Sequence, residues 1–191
     1  MNKLIETIDL TKVYGEKETS VTALNSITTA FNENQFTAIM GPSGSGKSTL
    51  LHCLAGLDKV TSGSILINGI DLASLNDKEL TKMRRDSFGF VFQAFNLIPT
   101  LTAEENITLP SSIAGRKPED EWVEQVINAM DIGDRLGHRP NELSGGQQQR
   151  VAAARAMASK PEVIFADEPS GNLDSKASKE LMFAGSSGRL S

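Results

Sequence analysis

The chain has 191 residues, of which 39% are hydrophobic, and its formal net charge is −5. This length allows one sizeable core, predicts one α/β domain with a subdomain, and leaves no room for a second full domain. The negative charge and the lack of a long Lys/Arg run argue against nucleic acid as a partner. With one cysteine, Cys53, no disulfide can form within the chain, and we expect a reduced, packed thiol.

The amino terminus carries no apolar signal core, and no stretch approaches the roughly 18 uninterrupted apolar residues of a membrane span. We therefore expect a soluble, cytoplasmic polypeptide. Any association with a membrane would then come through a partner.

The first elements along the chain are predicted strands. Residues 4–14 and 21–31 alternate apolar and polar side chains, which indicates half-exposed strands of an antiparallel edge region. The apolar run Phe36–Met40 predicts a further strand that leads directly into a glycine-rich segment. Residues 64–67 predict another strand.

The glycine-rich segment matches the pattern G-x-x-x-x-G-K-[ST] and precedes a helical pattern that begins at Leu50. Glycines let consecutive N–H groups point at phosphate oxygens, and the helix start adds about half a positive charge. In this motif Lys47 reaches the β- and γ-phosphates and the Ser48 hydroxyl ligates Mg²⁺. We expect a nucleotide to bind here, rather than a turn that matches by chance. The candidate residues are Gly41, Pro42, Ser43, Gly44, Ser45, Gly46, Lys47, Ser48 and Thr49.

Two later runs, Phe88–Phe92 and Val163–Ala166, are more continuously apolar and predict strands of a parallel sheet covered by helices. Between Gln93 and Leu143 the sequence becomes helical and acidic. A helix is predicted from about residue 119 to 130, and its Trp122 is predicted to pack in a core.

A second helix start is predicted at Leu143-Ser144-Gly145-Gly146-Gln147, because Ser144 and Gln147 have the spacing of a capping box. The following residues, up to Ser159, are rich in alanine and predict a helix. The pentapeptide as a whole resembles the signature of the ATP-binding-cassette ATPases. This resemblance extends from about Leu4 to Asp174, which is nearly the whole chain.

The resemblance implies an α/β fold with a P-loop NTPase core, an antiparallel β edge region and a helical subdomain. It assigns residues 1–94 and 141–191 to the ATP-binding core and residues 95–140 to the helical subdomain. Within the family, the stretch Phe90–Pro99 resembles the macrolide-export and lipoprotein-release subgroup.

The resemblance also implies roles for individual residues. Asp167 helps to hold Mg²⁺, and Glu168 is the general base for the attacking water. Gln93 is a hinge whose amide contacts Mg²⁺ or water, and Tyr14 stacks on adenine, although an isolated tyrosine at a strand end is also a common packing residue. Residues 170–174 resemble the D-loop.

The two helix starts require the same anionic partner, and in the family a head-to-tail dimer satisfies both. ATP bound by residues 41–49 of one copy is capped by Ser144, Gly145, Gly146 and Gln147 of the other. The implied function is an ATP-hydrolysing subunit that energises a separate membrane permease.

One feature departs from the family pattern. The family places a histidine after a further strand beyond the D-loop, whereas this chain has only His52 and His138, which lie elsewhere. We therefore expect a truncated or frame-shifted cassette in which the C-terminal strands of the family fold are missing.

Two alternatives to the implied function stay open. One is a remnant of the cassette with impaired folding, or with nucleotide binding but no turnover. The other is a soluble ATPase of the DNA-repair type, which would require a long coiled-coil insertion that this sequence does not contain.

Overall fold

A computed structural model describes residues 2–167, and the chain divides into two compact units after Arg84. The division predicted from the sequence, with a core of 1–94 and 141–191 and a helical subdomain of 95–140, follows function rather than packing and stays a prediction. Within residues 2–167, no helix has both the length and the apolar character needed to cross a lipid bilayer.

The first unit contains a four-stranded antiparallel sheet. Its strands are β1 (Lys3–Tyr14), β2 (Val21–Asn32), β3 (Ser62–Ile67) and β4 (Ile70–Asp71), in the spatial order β2-β1-β3-β4. The strands predicted at 4–14, 21–31 and 64–67 are therefore confirmed, as is their antiparallel pairing.

A bulge interrupts the alternation of β1. Ile5 and Thr7 are buried before it, and Leu10 and Lys12 are buried after it. The register against β2 shifts between Thr7 and Leu10, and Asp9 has a positive φ of 47°. An extra residue of this kind moves the buried positions from odd to even numbers. Both halves of the long strand can thereby bury side chains.

Helix α1 (Lys47–Leu54) follows the glycine-rich loop, and α2 (Asp77–Ser87) includes the division between Arg84 and Arg85. Short 3-10 turns cover Lys17–Thr19 and Leu72–Ser74. The Cys53 thiol is buried, as expected, and burial raises its pKa to about 11, so it stays protonated at neutral pH. The core of this unit includes Ile5, Leu10, Leu24, Cys53, Leu54, Ile65 and Ile67.

The strand predicted over Phe36–Met40 is wrong. Residues 35–46 form neither helix nor strand, and the side chains of Phe36 and Met40 are 57% and 86% exposed. A strand needs a neighbouring strand to satisfy its N–H and C=O groups. Among residues 2–167 no strand pairs with this run, so it remains an irregular segment despite its apolar sequence.

The second unit contains a parallel pair of strands, β5 (Phe88–Val91) and β6 (Val163–Ala166), which confirms the predicted parallel pairing. Three helices accompany them: α3 (Ala103–Ile113), α4 (Asp120–Ala129) and α5 (Gly145–Ala158). Further 3-10 turns cover Gly133–Arg135 and Pro140–Glu142.

Helix α5 lies at the centre of the second unit, where both α3 and α4 pack against it. Its alanine-rich surface allows them to approach closely. Trp122 of α4 packs against this core, and its indole N–H donates to the Met157 carbonyl oxygen at 2.9 Å. The prediction that Trp122 is a packing residue is therefore confirmed. The buried cluster includes Ala103, Ile107, Val126, Met130, Ile132, Val151, Ala154 and Met157.

Candidate functional site

The glycine-rich loop leads directly into α1 in the first unit. Gly44 and Gly46 have positive φ angles of 77° and 87°, which side-chain-bearing residues rarely adopt. A Cβ atom on Gly46 would also lie only 2.4 Å from the Ala23 carbonyl oxygen of β2. Residues 41–45 are exposed, so a ligand can reach the backbone of the loop.

Lys47 is the first residue of α1, and its side chain folds back over the loop. The Nζ atom donates to the carbonyl oxygens of Gly41 at 3.0 Å and Pro42 at 2.9 Å. Both acceptors are neutral, so neither cancels the charge of the ammonium group. A phosphate oxygen, which accepts stronger charge-assisted hydrogen bonds, could displace either carbonyl.

A pocket of about 260 Å³ borders the glycine-rich loop. One part of its lining is apolar, and the other part is the loop itself with Lys47; the apolar residues are Leu24, Ile27, Ile39, Met40 and Leu50, and the loop residues are Gly41, Pro42, Ser45, Gly46 and Lys47. The pocket therefore adjoins the predicted phosphate site, which requires the N–H groups of the loop and the Lys47 ammonium, and its apolar part offers no group that binds phosphate.

Ser48 places an exposed hydroxyl in the first turn of α1, and such a hydroxyl suits Mg²⁺, which prefers oxygen ligands. Within residues 2–167, no group of three or more His, Cys, Asp or Glu side chains forms a metal cage. Mg²⁺ bound to a nucleotide takes most of its ligands from phosphates and water, with only one or two from protein. Ser48 therefore fits this kind of site.

Gln93 and Asp167 lie at one edge of the parallel strand pair in the second unit. Val91 of β5 is in register with Ala166 of β6, and each candidate residue follows within two positions of these strand ends. The Asp167 N–H donates to the Val91 carbonyl oxygen at 3.0 Å, which extends the pairing. Ligands of open α/β sheets bind at this carboxyl edge.

The second helix start has the predicted capping box. The Ser144 N–H donates to Oε1 of Gln147 at 2.8 Å, and the Gln147 N–H donates to Oγ of Ser144 at 3.3 Å. The Ser144 hydroxyl accepts in this bond, so its proton can still donate to an approaching oxygen. Ser144 and Gly145 are exposed, whereas Gly146 and Gln147 are half-buried.

Arg155, whose role was not predicted from the sequence, connects α5 with the turn after Gln93. Its guanidinium donates to the carbonyl oxygens of Phe95 and Asn96, each at 2.7 Å. Phe95 and Asn96 have positive φ angles of 59° and 49°. In the sequence, Arg155 is distinguished as the one charged residue from Val151 to Ala158, where all the other residues are apolar and buried.

Tyr14 lies at the end of β1 with 41% of its surface exposed, and its hydroxyl contacts Asp58. Lys12, two residues earlier on β1, also contacts Asp58. Neither Lys12 nor Asp58 was predicted from the sequence, although Lys12 and Tyr14 are two apart on a strand and so share a face. Glu168 and the D-loop residues 170–174 lie outside the described residues.

The family model of the ABC transporter matches residues 24–171 of this chain. The "Macrolide export ATP-binding/permease protein MacB" of Marinobacter nauticus is 48% identical over 181 residues, which are 94% of this chain and 28% of that protein. The "Lipoprotein-releasing system ATP-binding protein LolD" of Geobacter metallireducens is 46% identical over 183 residues, covering 95% of this chain and 81% of that protein. The predicted subgroup resemblance is therefore confirmed.

Solved structures of the cassette MJ0796 from Methanocaldococcus jannaschii match the fold. The dimeric structure superposes with a TM-score of 0.84 at 45% identity and covers 94% of this chain and 80% of that one. A second structure, with a TM-score of 0.83, shows a post-hydrolysis state of MJ0796 bound to ADP and Pi. The predicted α/β P-loop NTPase fold is confirmed, and the chain belongs to the ABC transporter family of ATPases.

Proposed function

We propose that this chain binds ATP with Mg²⁺ and hydrolyses it as the energising subunit of a transporter whose permease is a separate chain. The observation that carries the proposal is the pair of helix starts, each fitted for phosphate and each in a different unit. Lys47 begins α1 in the first unit, and Ser144 caps α5 in the second.

In this proposal the glycine-rich loop binds the triphosphate through its N–H groups, and Lys47 exchanges its carbonyl partners for phosphate oxygens. Ser48 would ligate Mg²⁺, which would neutralise charge on the phosphates, and the family resemblance adds Gln93 and Asp167 as candidate ligands. Glu168 accepts a proton from the attacking water. Gln93 couples the presence of the γ-phosphate to movement of the helices that follow it.

Two copies assemble head to tail, so that ATP on the loop of one copy receives the Ser144 hydroxyl and the α5 helix start of the other. MJ0796, which shares this fold, forms a dimer. Closure of the pair is a ligand-driven shift of population, because ATP contacts both copies only in the closed state.

A mixing experiment tests this arrangement. A Lys47→Ala chain lacks a working loop, and a Ser144→Ala chain lacks a working cap, so neither homodimer contains an intact site. In a head-to-tail heterodimer one site receives the intact loop of the Ser144→Ala chain and the intact cap of the Lys47→Ala chain. We expect the mixture to regain part of the ATP-induced dimerisation measured by sedimentation. No gain over the separate chains would contradict assembly in trans.

Binding without turnover is the second candidate function, and the exposed Phe36–Met40 segment favours it. The segment leads into the loop without a strand partner in the described part of the chain, so the loop lacks the rigid support typical of this motif. Glu168→Gln separates the candidates. If the chain turns over, this variant should bind ATP normally and hydrolyse it roughly 10²-fold more slowly. If wild type and variant hydrolyse equally slowly, binding without turnover is the function.

The permease and its location belong to the same proposal. MacB is named as both ATP-binding protein and permease, and LolD as the ATP-binding protein of a lipoprotein-releasing system. This chain corresponds to 28% of MacB and to 81% of LolD, and the proposed separate permease follows LolD, which is named as an ATP-binding protein only. We accordingly place the chain at the cytoplasmic face of a membrane. Copurification with a membrane protein from the native cell, lost when the cells lack that protein, tests this placement.

A further inference from the structure

Three side chains at and near the end of β1 are connected by hydrogen bonds. As a group they have no role in the function proposed above. The Tyr14 hydroxyl donates to one carboxylate oxygen of Asp58, and the Lys12 ammonium donates to the other at 2.6 Å. The Lys12 Nζ atom also donates to the Lys59 carbonyl oxygen at 2.7 Å and lies 4.6 Å from the centre of the Tyr14 ring. We call Lys12, Tyr14 and Asp58 the tyrosine clamp.

The tyrosine clamp is attached to the helix that begins at the phosphate loop. The N–H groups of Leu57 and Asp58 both donate to the His52 carbonyl oxygen, at 2.9 and 3.2 Å, in the last turn of α1. Asp58 thus holds the Tyr14 ring at a fixed place relative to α1. Because Lys47 and Ser48 begin the same helix, the ring is also fixed relative to them.

Thr49 provides a second connection between Tyr14 and the loop. The Asp58 hydrogen bond is the main cause of the raised pKa of Tyr14, and a hydrogen bond with Thr49 opposes that rise. Thr49 is the last residue of the phosphate-binding motif. The Tyr14 phenol oxygen therefore interacts with the Asp58 carboxylate, which follows α1, and with the side chain of Thr49, which lies in the first turn of α1.

The charged groups of the clamp leave one face of the Tyr14 ring open for an aromatic ligand. The Lys12 hydrogen bond is the main cause of a lowered pKa of Asp58, so the carboxylate is ionised and the phenol protonated at neutral pH. The Lys12 ammonium covers one face of the ring, which is a cation–π contact. A heteroaromatic base can therefore stack only on the opposite face, and 41% of the tyrosine is exposed.

We propose that Asp58 and Lys12 are positioning residues that fix the Tyr14 ring in its stacking orientation before a nucleotide arrives. This inference rests on the proposed function, since the ring is positioned for the base of the same nucleotide whose phosphates bind the loop. Fixing the ring in advance removes part of the entropy that stacking would otherwise cost. The structural alternative is a clamp that only stabilises the end of β1.

Two ligands separate base recognition from phosphate recognition. ATP carries both parts, whereas inorganic tripolyphosphate carries only the phosphates. We expect Asp58→Ala to weaken ATP binding roughly 3- to 10-fold, the range of an aromatic stacking contact, and to leave tripolyphosphate binding unchanged. Isothermal titration calorimetry of both ligands measures the two constants. Equal weakening of both ligands, or no weakening of ATP binding, would overturn the inference.

Variants of the other two clamp residues complete the test. Tyr14→Phe keeps the ring but loses the hydroxyl, so it should match Asp58→Ala, and Lys12→Met should show a smaller loss of ATP affinity. In a Tyr14→Ala background, Asp58→Ala should have no further effect on ATP binding. Asp58→Asn retains an acceptor for the phenol, so it should recover part of the ATP affinity that Asp58→Ala loses. We would not expect this recovery if Asp58→Ala lost affinity only because it failed to fold.

Spectroscopy gives an independent readout, because Tyr14 is the only tyrosine of the chain. The tyrosinate absorbance therefore titrates this one residue. Asp58→Ala should lower the pKa of Tyr14 towards its ordinary value of 10.0, and an unchanged titration would contradict the clamp. If wild type binds neither ATP nor tripolyphosphate, the proposed function fails. If it binds both and Asp58→Ala weakens both equally, the inference alone fails.

Discussion

The Arg155 guanidinium donates to the Phe95 carbonyl oxygen at 2.7 Å, and so joins the helix of the signature pentapeptide to the turn that follows Gln93. A second bond of the same length reaches the Asn96 carbonyl oxygen. Both acceptor residues are in the left-handed region, which is strained for the bulky Phe95 and better tolerated by Asn96. Arg155 therefore stabilises a turn that its own sequence does not favour.

Arg155→Ala should lower the free energy of unfolding by about 2 kcal/mol or more, because it removes two charge-assisted hydrogen bonds and leaves a strained turn unsupported. Urea denaturation measures the change. Arg150→Ala is the matched control on the same helix. Its ion pair with the largely exposed Asp131 spans 3.5 Å, so we expect a change close to zero. Equal losses in the two variants would contradict the role given to Arg155.

The capping box of α5 allows stability and ligand contact to be separated. Ser144→Ala should cost about 1 kcal/mol of stability through loss of the cap, and should also abolish ATP-induced dimerisation. Thr102 caps α3 with the same geometry: its N–H donates to Glu105 at 2.7 Å, and its Oγ accepts from the Glu105 N–H at 3.2 Å.

Thr102→Ala is therefore the control for Ser144→Ala. It should cost a similar amount of unfolding free energy, measured by denaturation, and should leave dimerisation intact. If both variants impair dimerisation equally, the effect of Ser144→Ala comes from lost stability, and the proposed contact with a partner's ATP is wrong.

Gly46 tests the geometry of the phosphate loop. Gly46→Ala should destabilise the chain by about 2 kcal/mol or more, because a Cβ atom would meet the Ala23 carbonyl oxygen and φ is 87°. Gly69→Ala is the control: its φ of 77° is similar, but its Cβ would meet nothing within 4 Å. We expect it to cost only the backbone strain, about 1–2 kcal/mol. Thermal unfolding of the two variants measures the difference.

The clamp carboxylate predicts a specific dependence of stability on pH. Lys12 and Tyr14 lower the folded-state pKa of Asp58 below its ordinary value of 3.8, and the nearby Cys53 thiol stays protonated. The stability that ionised Asp58 contributes is therefore present above pH 3.8 and is lost as the pH falls through the lower, folded-state pKa. Wild type should be more stable than Asp58→Asn at neutral pH, and denaturation curves should converge below pH 3.8. A constant difference across this range would contradict the assignment.

Local sequence patterns predicted much of this structure because the interactions behind them are themselves local. The alternation in β1 and β2, the capping box at Ser144 and the glycine-rich loop before Lys47 each depend on residues close in sequence. The strand predicted at Phe36–Met40 failed for the opposite reason, because an apolar run becomes a strand only when another strand is available to pair with it.

Local patterns also could not predict contacts between residues that are far apart in the sequence. Asp58 reaches Tyr14 across 44 positions, and Arg155 reaches Phe95 across 60. Neither partner has a spacing that a motif could identify. Their only signals were charges placed among apolar neighbours: Lys12 on a buried strand face and Arg155 in a buried helix.

Titration with ATP in the presence of Mg²⁺ tests directly whether Lys47 and its loop bind the phosphates of a nucleotide. We expect saturable binding by wild type and loss of binding in Lys47→Ala, while the melting transition of the variant is retained. Unchanged ATP affinity in Lys47→Ala would contradict this expectation.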